Sequence, residues 1–316
     1  MRHLKQKLLL SGLLAVALAA GNGCSVKKLA INKLGDALAG GGTTFSSDED
    51  PELVKSAIPF SLKLIESLLA ESPEHEGLLL AAASGFTQYS YAFVQQEADE
   101  VEEENFTRSR ELKVRAQKLY RRSRDYGLRG LEVRHEGITA ALKADPKQAV
   151  RVLTKKDVPL IYWTAAAWGS LISQSKDQPD IVSQQPIVEA LLDRALELDA
   201  TFESGAIHAA MISYELSRQG AEGKPADRAR KHFARAIELS QGQQAGPYLS
   251  LAEGVSLQEQ NAQEFRALLE KALAIDVDAR PEWRLANLVM QRRARWLLER
   301  IDDLIIPELP PTETKP

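Results

Sequence analysis

No internal disulfide can form in this chain, because its 316 residues hold a single cysteine, Cys24. A structural zinc site is equally poorly provided for. Such a site takes several Cys or His ligands, and the five histidines show no H-x3–5-H spacing. Basic excess is missing too: the net charge is −4, so there is no surplus of cation to neutralise a nucleic-acid backbone. Long alternating runs of β-branched residues are absent, which argues against a sheet protein. Several enzyme signatures are also missing. There is no HExxH, Gly254-Val255-Ser256-Leu257-Gln258 lacks the second glycine of a nucleophile elbow, and Gly40-Gly41-Gly42 lacks the lysine and spacing of a phosphate loop. His75-Glu76 and His135-Glu136 are isolated pairs that read as surface residues. No cofactor or metal is expected, and no enzymatic activity.

What is present begins with a targeting segment. Arg2, Lys5 and Lys7 precede an apolar run over 8–20, LLLSGLLAVALAA, and small residues follow it. That pattern is a signal peptide, and the run is shorter than the roughly 20 residues of a spanning helix. Cys24 at its end resembles the modified cysteine of a bacterial lipobox, although Gly21 stands where an aliphatic residue is usual. Cleavage before Cys24 would leave it lipidated and the chain anchored by several acyl chains. Ordinary cleavage after Ala17-Leu18-Ala19 is the alternative. Ser25 after the cysteine resembles a sorting signal for the outer membrane, with the protein on its periplasmic face. Loss of residues 1–23 removes three basic and no acidic residues, leaving 37 basic against 44 acidic, a net −7.

From residue 51 the chain reads as helix after helix. Asp50-Pro51 opens the first, with an apolar face at Leu53, Ile58, Leu62, Ile65 and Leu69, and Pro59 predicts a kink or break near Ile58. Three helix ends resemble one another: Arg194 to Asp199, Arg235 to Ser240 and Lys271 to Asp276, spaced 41 and 36 residues apart. These spacings lie near the roughly 34-residue tetratricopeptide period with small insertions. The second helix of such a repeat carries a small residue, a large one four on, and alanine three beyond. Ala229/Phe233/Ala236 fits, as do Ala116/Tyr120/Ser123, Val188/Leu192/Ala195 and Phe265/Leu269/Ala272 in part. The first helix pairs a large residue with a small one so that helices approach closely. Trp168-Gly169 does this in 154–169, TKKDVPLIYWTAAAWG, and Ala82-Ala83 with Phe86 earlier. The domain plan is a signal peptide over 1–23, a lipidated segment and linker over 24–50, a helical-repeat domain over 51–306, and a Pro-rich disordered tail over 307–316. The fold class is all-α, a superhelix of stacked pairs with a concave binding side.

Five ordered blocks give the chain a family likeness. They are Cys24 to Ala30, Leu119 to Arg129, the 154–169 stretch, Gly246 to Glu253, and Asn287 to Leu298. Together they resemble the T-component (TatT-like) lipoproteins of TRAP transporters, the tripartite ATP-independent periplasmic systems. The resemblance implies cryptic tetratricopeptide-like repeats around a cleft or pore and a homotrimer. It also implies docking of a periplasmic substrate-binding P-component, and small ligands, hydrophobic ones among them. A tetratricopeptide-repeat scaffold for envelope assembly, binding only protein, is the alternative from another class.

Candidate cleft residues are Lys156, Tyr162, Trp163, Tyr248, Asn287, Arg292 and Arg295, with Cys24 as the lipidation site. Asp157 is placed to cap the helix whose first turn holds Pro159. Tyr162 and Trp163 are adjacent on a helix, about 100° apart, so one of them is left to face the cleft. Lys155 and Lys156 read as solvated lysines or as an anion-binding rim. Arg292 and Arg295 read either as ligand-carboxylate clamps or as ion-pair partners of Glu299 or of acids on a neighbouring helix. The six acids of EADEVEEEN, Glu97 to Asn105, fall where the first repeat carries about twenty extra residues, and read as a solvated face or as an acidic rim for a partner.

Overall fold

Asp50 starts the first long helix, α1 (Pro51–Glu71): its Oδ1 accepts the otherwise unpaired Glu52 and Leu53 N–H groups, both at 3.0 Å. The computed structural model describes residues 32–37 and 43–306. Cys24, the triple glycine and the Pro-rich tail lie outside them. Helix α1 is not broken at Pro59. Leu62, Ile65, Leu68 and Leu69 beyond the proline are buried together with Val54 before it, and this shared apolar face holds both halves in one helix. Leu53, expected on that face, is instead 59% exposed, and Val54 takes its place.

The remaining principal helices are α2 (Glu76–Tyr89), α3 (Phe106–Arg134), α4 (Val158–Ser173), α5 (Gln185–Leu198), α6 (Ala206–Tyr214), α7 (Pro225–Ser240), α8 (Gly246–Leu251), α9 (Ala262–Leu273) and α10 (Arg284–Glu299). No strand occurs among the described residues. Helix α2 continues through a π-helical segment, Ser90–Gln95, into Gln96–Glu100, and α8 continues into a second one, Ala252–Ser256. No described helix is long and apolar enough to cross a membrane.

Helices α2, α4, α6, α8 and α10 each pack on the next, and α1, α3, α5, α7 and α9 pack against them from outside. The spaced signature positions supply the contacts between them. Ala116, Tyr120, Ser123, Val188, Leu192, Ala195, Ala229, Ala236, Phe265, Leu269 and Ala272 are all buried, and Phe233 is partly so. Close approach is achieved elsewhere than expected. A Cβ on Gly169 would meet only Val188, at 3.6 Å. On α3, by contrast, a Cβ at Gly127 would overlap Thr164, and one at Gly130 would lie 2.6 Å from Leu160 Cδ2. The tight crossing is therefore α3 on α4, made by glycines of the outer helix.

The last helix returns to the first. Leu285 N–H donates to Ser46 O at 2.9 Å and Arg284 Nη1 to Ser47 O at 2.8 Å, while Val289 joins the apolar cluster of α1, α2 and α3. The row of helices thus closes on itself, with α10 packed back on α1.

At the start of α4, Asp157 does not cap that helix with its side chain. Its carboxylate turns back and accepts from Thr154 N (2.8 Å), Thr154 Oγ1 (2.9 Å) and Arg134 Nη1 (3.0 Å), with His135 Nε2 at 3.1 Å. It fixes the turn before α4 to the end of α3, and His135 is part of that junction. His75 likewise has a structural contact: its Nδ1 accepts the Leu78 N–H at the start of α2.

Burial alone would raise the Asp157 carboxyl, but these hydrogen bonds outweigh it and bring it down to about 2. A carboxyl depressed from its ordinary 3.8 stabilises the fold fully above about pH 4, and that contribution is lost as pH falls toward 2. Asp157→Asn is expected to cost about 2 kcal/mol at pH 7 and to flatten the acid limb of the stability curve between pH 4 and 2. Urea titrations across that range measure both, and an unchanged acid limb would assign the lost stability to other carboxylates.

Candidate functional site

Each π-helical segment inserts extra residues into a turn and rotates the next stretch of helix relative to a plain α-helix, a feature often found at functional sites. Here the two segments bring one cluster together. Arg293 on α10 donates bidentately to Glu253 of the second segment, Nε–Oε1 2.9 Å and Nη2–Oε2 2.6 Å, and through Nη1 to Asp99 Oδ2 at 3.0 Å. Its guanidinium also lies 5.4 Å from the Trp296 ring, one turn along the helix. The Tyr91 hydroxyl, within the first segment, points to Met290 Sδ at 3.9 Å.

Arg293 is 11% exposed at its side chain. Burial opposes its charge, but Glu253 outweighs burial and holds the guanidinium above its ordinary range. Asp99 behaves oppositely although it shares the pair: desolvation raises it, because a single bond to Arg293 does not offset its burial. Tyr91 is pushed up to about 12, chiefly by desolvation, although water still reaches part of it. Gln96 beside the Tyr91 hydroxyl is 2% exposed, and its amide has no well-formed hydrogen bond.

The same acidic run supplies further ties across the closure. Arg292 reaches Glu100 at 2.5 Å and Glu52 at 3.3 Å, and Arg300 pairs with Glu103. Glu97 pairs with Lys55 at 3.0 Å and Arg108 at 3.3 Å, and Glu102 bonds Lys113. The run is thus largely a seam joining the first helices to the last, not a free face. Arg295 is exposed and forms no ion pair with a described residue, and neither does Glu299.

The other candidates fall in three places. On α4 the residues left unburied are Pro159, Tyr162, Trp163, Ala166, Gly169, Ser170, Ile172 and Ser173. Tyr162 and Trp163 flank this open face together, so both adjoin it. Asn287 is buried, accepting from Ala245 N at 2.9 Å and donating to Gln243 O at 3.0 Å, which ties α10 to the chain before α8. Tyr248 packs edge-on to Phe233, ring centroids 5.6 Å apart, and Lys156 is exposed, its carbonyl accepting from Arg134.

A second polar network links α5, α6 and α7. Arg218 donates to Glu215 at 2.8 Å and pairs with Asp193 and Glu189, and Arg228 Nε donates to Glu215. His208 Nδ1 lies 2.9 Å from His232 Nδ1, and desolvation takes His208 down to about 4, so this pair is neutral at pH 7. A shallow depression of 340 Å3 on α3 is lined by Lys118, Arg121, Arg122, Asp125, Tyr126 and Arg129, none of which belongs to these networks. Among the described residues no group of three or more His, Cys, Asp or Glu is placed to hold a metal ion.

Sequence reasoning missed Tyr91, Gln96 and Glu253, and did not bring Asp99 of the acidic run together with Arg293. Their only local signals were the acidic run and the spacing of Arg293 from Trp296. No sequence signal marks the π-helical segments that assemble them.

Paired helices whose last member is tied back to the first, with partly solvated tyrosines and ion pairs along that seam, define an all-helical protein with a polar seam. The comparisons with known proteins place it more narrowly. The chain belongs to the TRAP transporter T-component family, whose sequence profile matches residues 47–305. It is also similar to an uncharacterised protein of Treponema pallidum (strain Nichols), 28% identical over 305 residues that cover 90% of this chain and 94% of the other. The family is one of transport components of the bacterial envelope, and membership gives the chain its general role in TRAP transport.

Proposed function

We propose that the chain is a lipid-anchored T-component that trimerises, docks a periplasmic substrate-binding P-component, and helps bind or pass small ligands through a cleft without enzymatic chemistry. The family match over 47–305 carries this reading. The signature positions of α3, α5, α7 and α9, all buried but the partly buried Phe233, support tetratricopeptide-like pairing. Lipidation at Cys24, with the protein on the periplasmic face of the outer membrane, rests on the sequence pattern alone.

Trimerisation has a candidate surface on α1. Leu53 is 59% and Phe60 74% exposed, seven residues apart and so on one side of the helix. Large apolar side chains left in water on a shared stripe favour association.

The test is the solution mass of the chain from Ser25 onward, alone and with the candidate P-component. A trimer alone and a larger complex with the P-component are expected. A monomer that ignores the P-component would sink the proposal. Leu53→Glu with Phe60→Glu is expected to leave helix content unchanged and reduce the mass to that of a monomer. For the anchor, Cys24→Ala is expected to move the protein from the membrane to the soluble fraction.

A further inference from the structure

Glu203, Ser204 and Gly205 follow one another with φ of +42°, +55° and +100°. Glycine adopts this left-handed region freely, whereas glutamate and serine do so only where the surroundings hold them. The strained turn lies between α5 and α6 and displays Glu203. That residue is exposed to water and makes no hydrogen bond or ion pair with a described residue. Protein atoms packed around it nonetheless raise its carboxyl by desolvation, although water still reaches the side chain.

Its neighbours are aromatic. Phe202 precedes it and contacts Tyr162, ring centroids 5.4 Å apart, and Tyr162 in turn meets Trp163 edge-on at 5.0 Å. Glu203 and Tyr162 are close enough that, after burial, the Glu203 charge is what raises the Tyr162 phenol. Three rings in contact and an unpaired carboxylate form one corner at the edge of the open face of α4.

We propose that this corner binds an organic ammonium cation, with Tyr162, Trp163 and Phe202 presenting their rings and Glu203 supplying the opposite charge. Ring faces are negative and attract a positive group, most strongly where water is excluded. The charges elsewhere agree. Arg292, Arg293 and Arg218 already hold carboxylates of the chain itself, so a ligand carboxylate finds those guanidinium groups occupied. At this corner the charge left without a partner is negative, that of Glu203. The assignment rests on the proposed reading of the chain as one that binds or passes small ligands, and names the ligand's chemical class.

The test is calorimetric titration of the full chain, purified in detergent, with choline and with its uncharged isostere 3,3-dimethylbutan-1-ol. Choline is expected to bind about tenfold or more tightly than the isostere, the scale of one charge-assisted contact. Glu203→Gln and Trp163→Ala are each expected to weaken choline binding by about tenfold as well. Glu203→Gly suits the left-handed backbone, so it is expected to raise Tm while removing the preference for choline, a result that misfolding cannot imitate. Equal binding of the two probes, no choline binding by a folded chain, or full choline binding by Glu203→Gln would each overturn the assignment. A chain that docks a P-component but ignores choline overturns the ammonium site alone. One that binds choline but stays monomeric overturns the docking reading alone.

Discussion

Arg293→Ala is expected to lower the unfolding free energy by about 3–5 kcal/mol, the scale for removing one partner of a buried ion pair. Three charge-assisted contacts disappear at once, two to Glu253 and one to Asp99, and both carboxylates are left in a desolvated seam. The contact of the guanidinium with Trp296 is lost with them. Arg293→Lys keeps the charge but not the planar fork, and so is expected to fall between the two. The acids separate further. Asp99 is raised by its burial, so its charge is already disfavoured in the folded state and Asp99→Asn is expected to cost little at pH 7. Glu253→Gln, which loses the bidentate pair, is expected to cost more. Urea denaturation gives the four values. Hydrogen exchange should show early loss of protection in α1 and α10, where the circuit closes. A loss under about 1 kcal/mol for Arg293→Ala would mean that the seam does not hold the ends together.

Gly127→Val is the second large effect. The side chain would have to occupy space filled by Thr164, whose Cα lies 3.2 Å from the would-be Cβ, and a backbone atom cannot swing aside. Overpacking costs typically about 1–3 kcal/mol, and this site belongs at or above the upper end because two whole helices must separate. The buried Thr164 Oγ1–Leu160 O bond of 2.6 Å lies in the same crossing. Gly169→Ala is the contrast. Its Cβ meets only an ordinary contact with Val188, and alanine favours a helix interior by about 0.5–1 kcal/mol, so no loss of stability is expected. Thermal unfolding of the two variants decides. A stable Gly127→Val beside a damaged Gly169→Ala would overturn the account of how α3 meets α4.

The closure has a consequence for function. In an open superhelix the last helix is a free cap, and its arginines are available to a ligand. Here Arg292, Arg293 and Arg300 are held by the acidic run, and the ligand surface proposed above lies instead at α4 and the turn before α6. Substitutions at Arg292 or Arg293 are therefore expected to report on stability first, and substitutions at Trp163 or Glu203 on binding.

The helices were legible because their signals are local. Apolar spacing, Asp50-Pro51 and the small-large-small triplets each act within a few turns, and the same residues are buried in the fold. The polar site was legible only in fragments. Arg293 and Asp99 are 194 residues apart, and the acid run that looked like a solvated face meets its cations only when α10 returns to the start of the chain. Tyr162 and Trp163 were told apart by a helical wheel that assumed one inner direction, whereas the open face of α4 is wide enough to take both. Glu203 carried no signal, since nothing in a local sequence shows that a glutamate will be held left-handed beside three rings. By itself the sequence determined an all-helical chain, its paired packing faces and its family, because those depend on periodicity and on ordered blocks along the chain. The tertiary structure alone decided which charges are neutralised and which carboxylate is left unpaired, because ion pairing and desolvation depend on groups that only the closed circuit brings together.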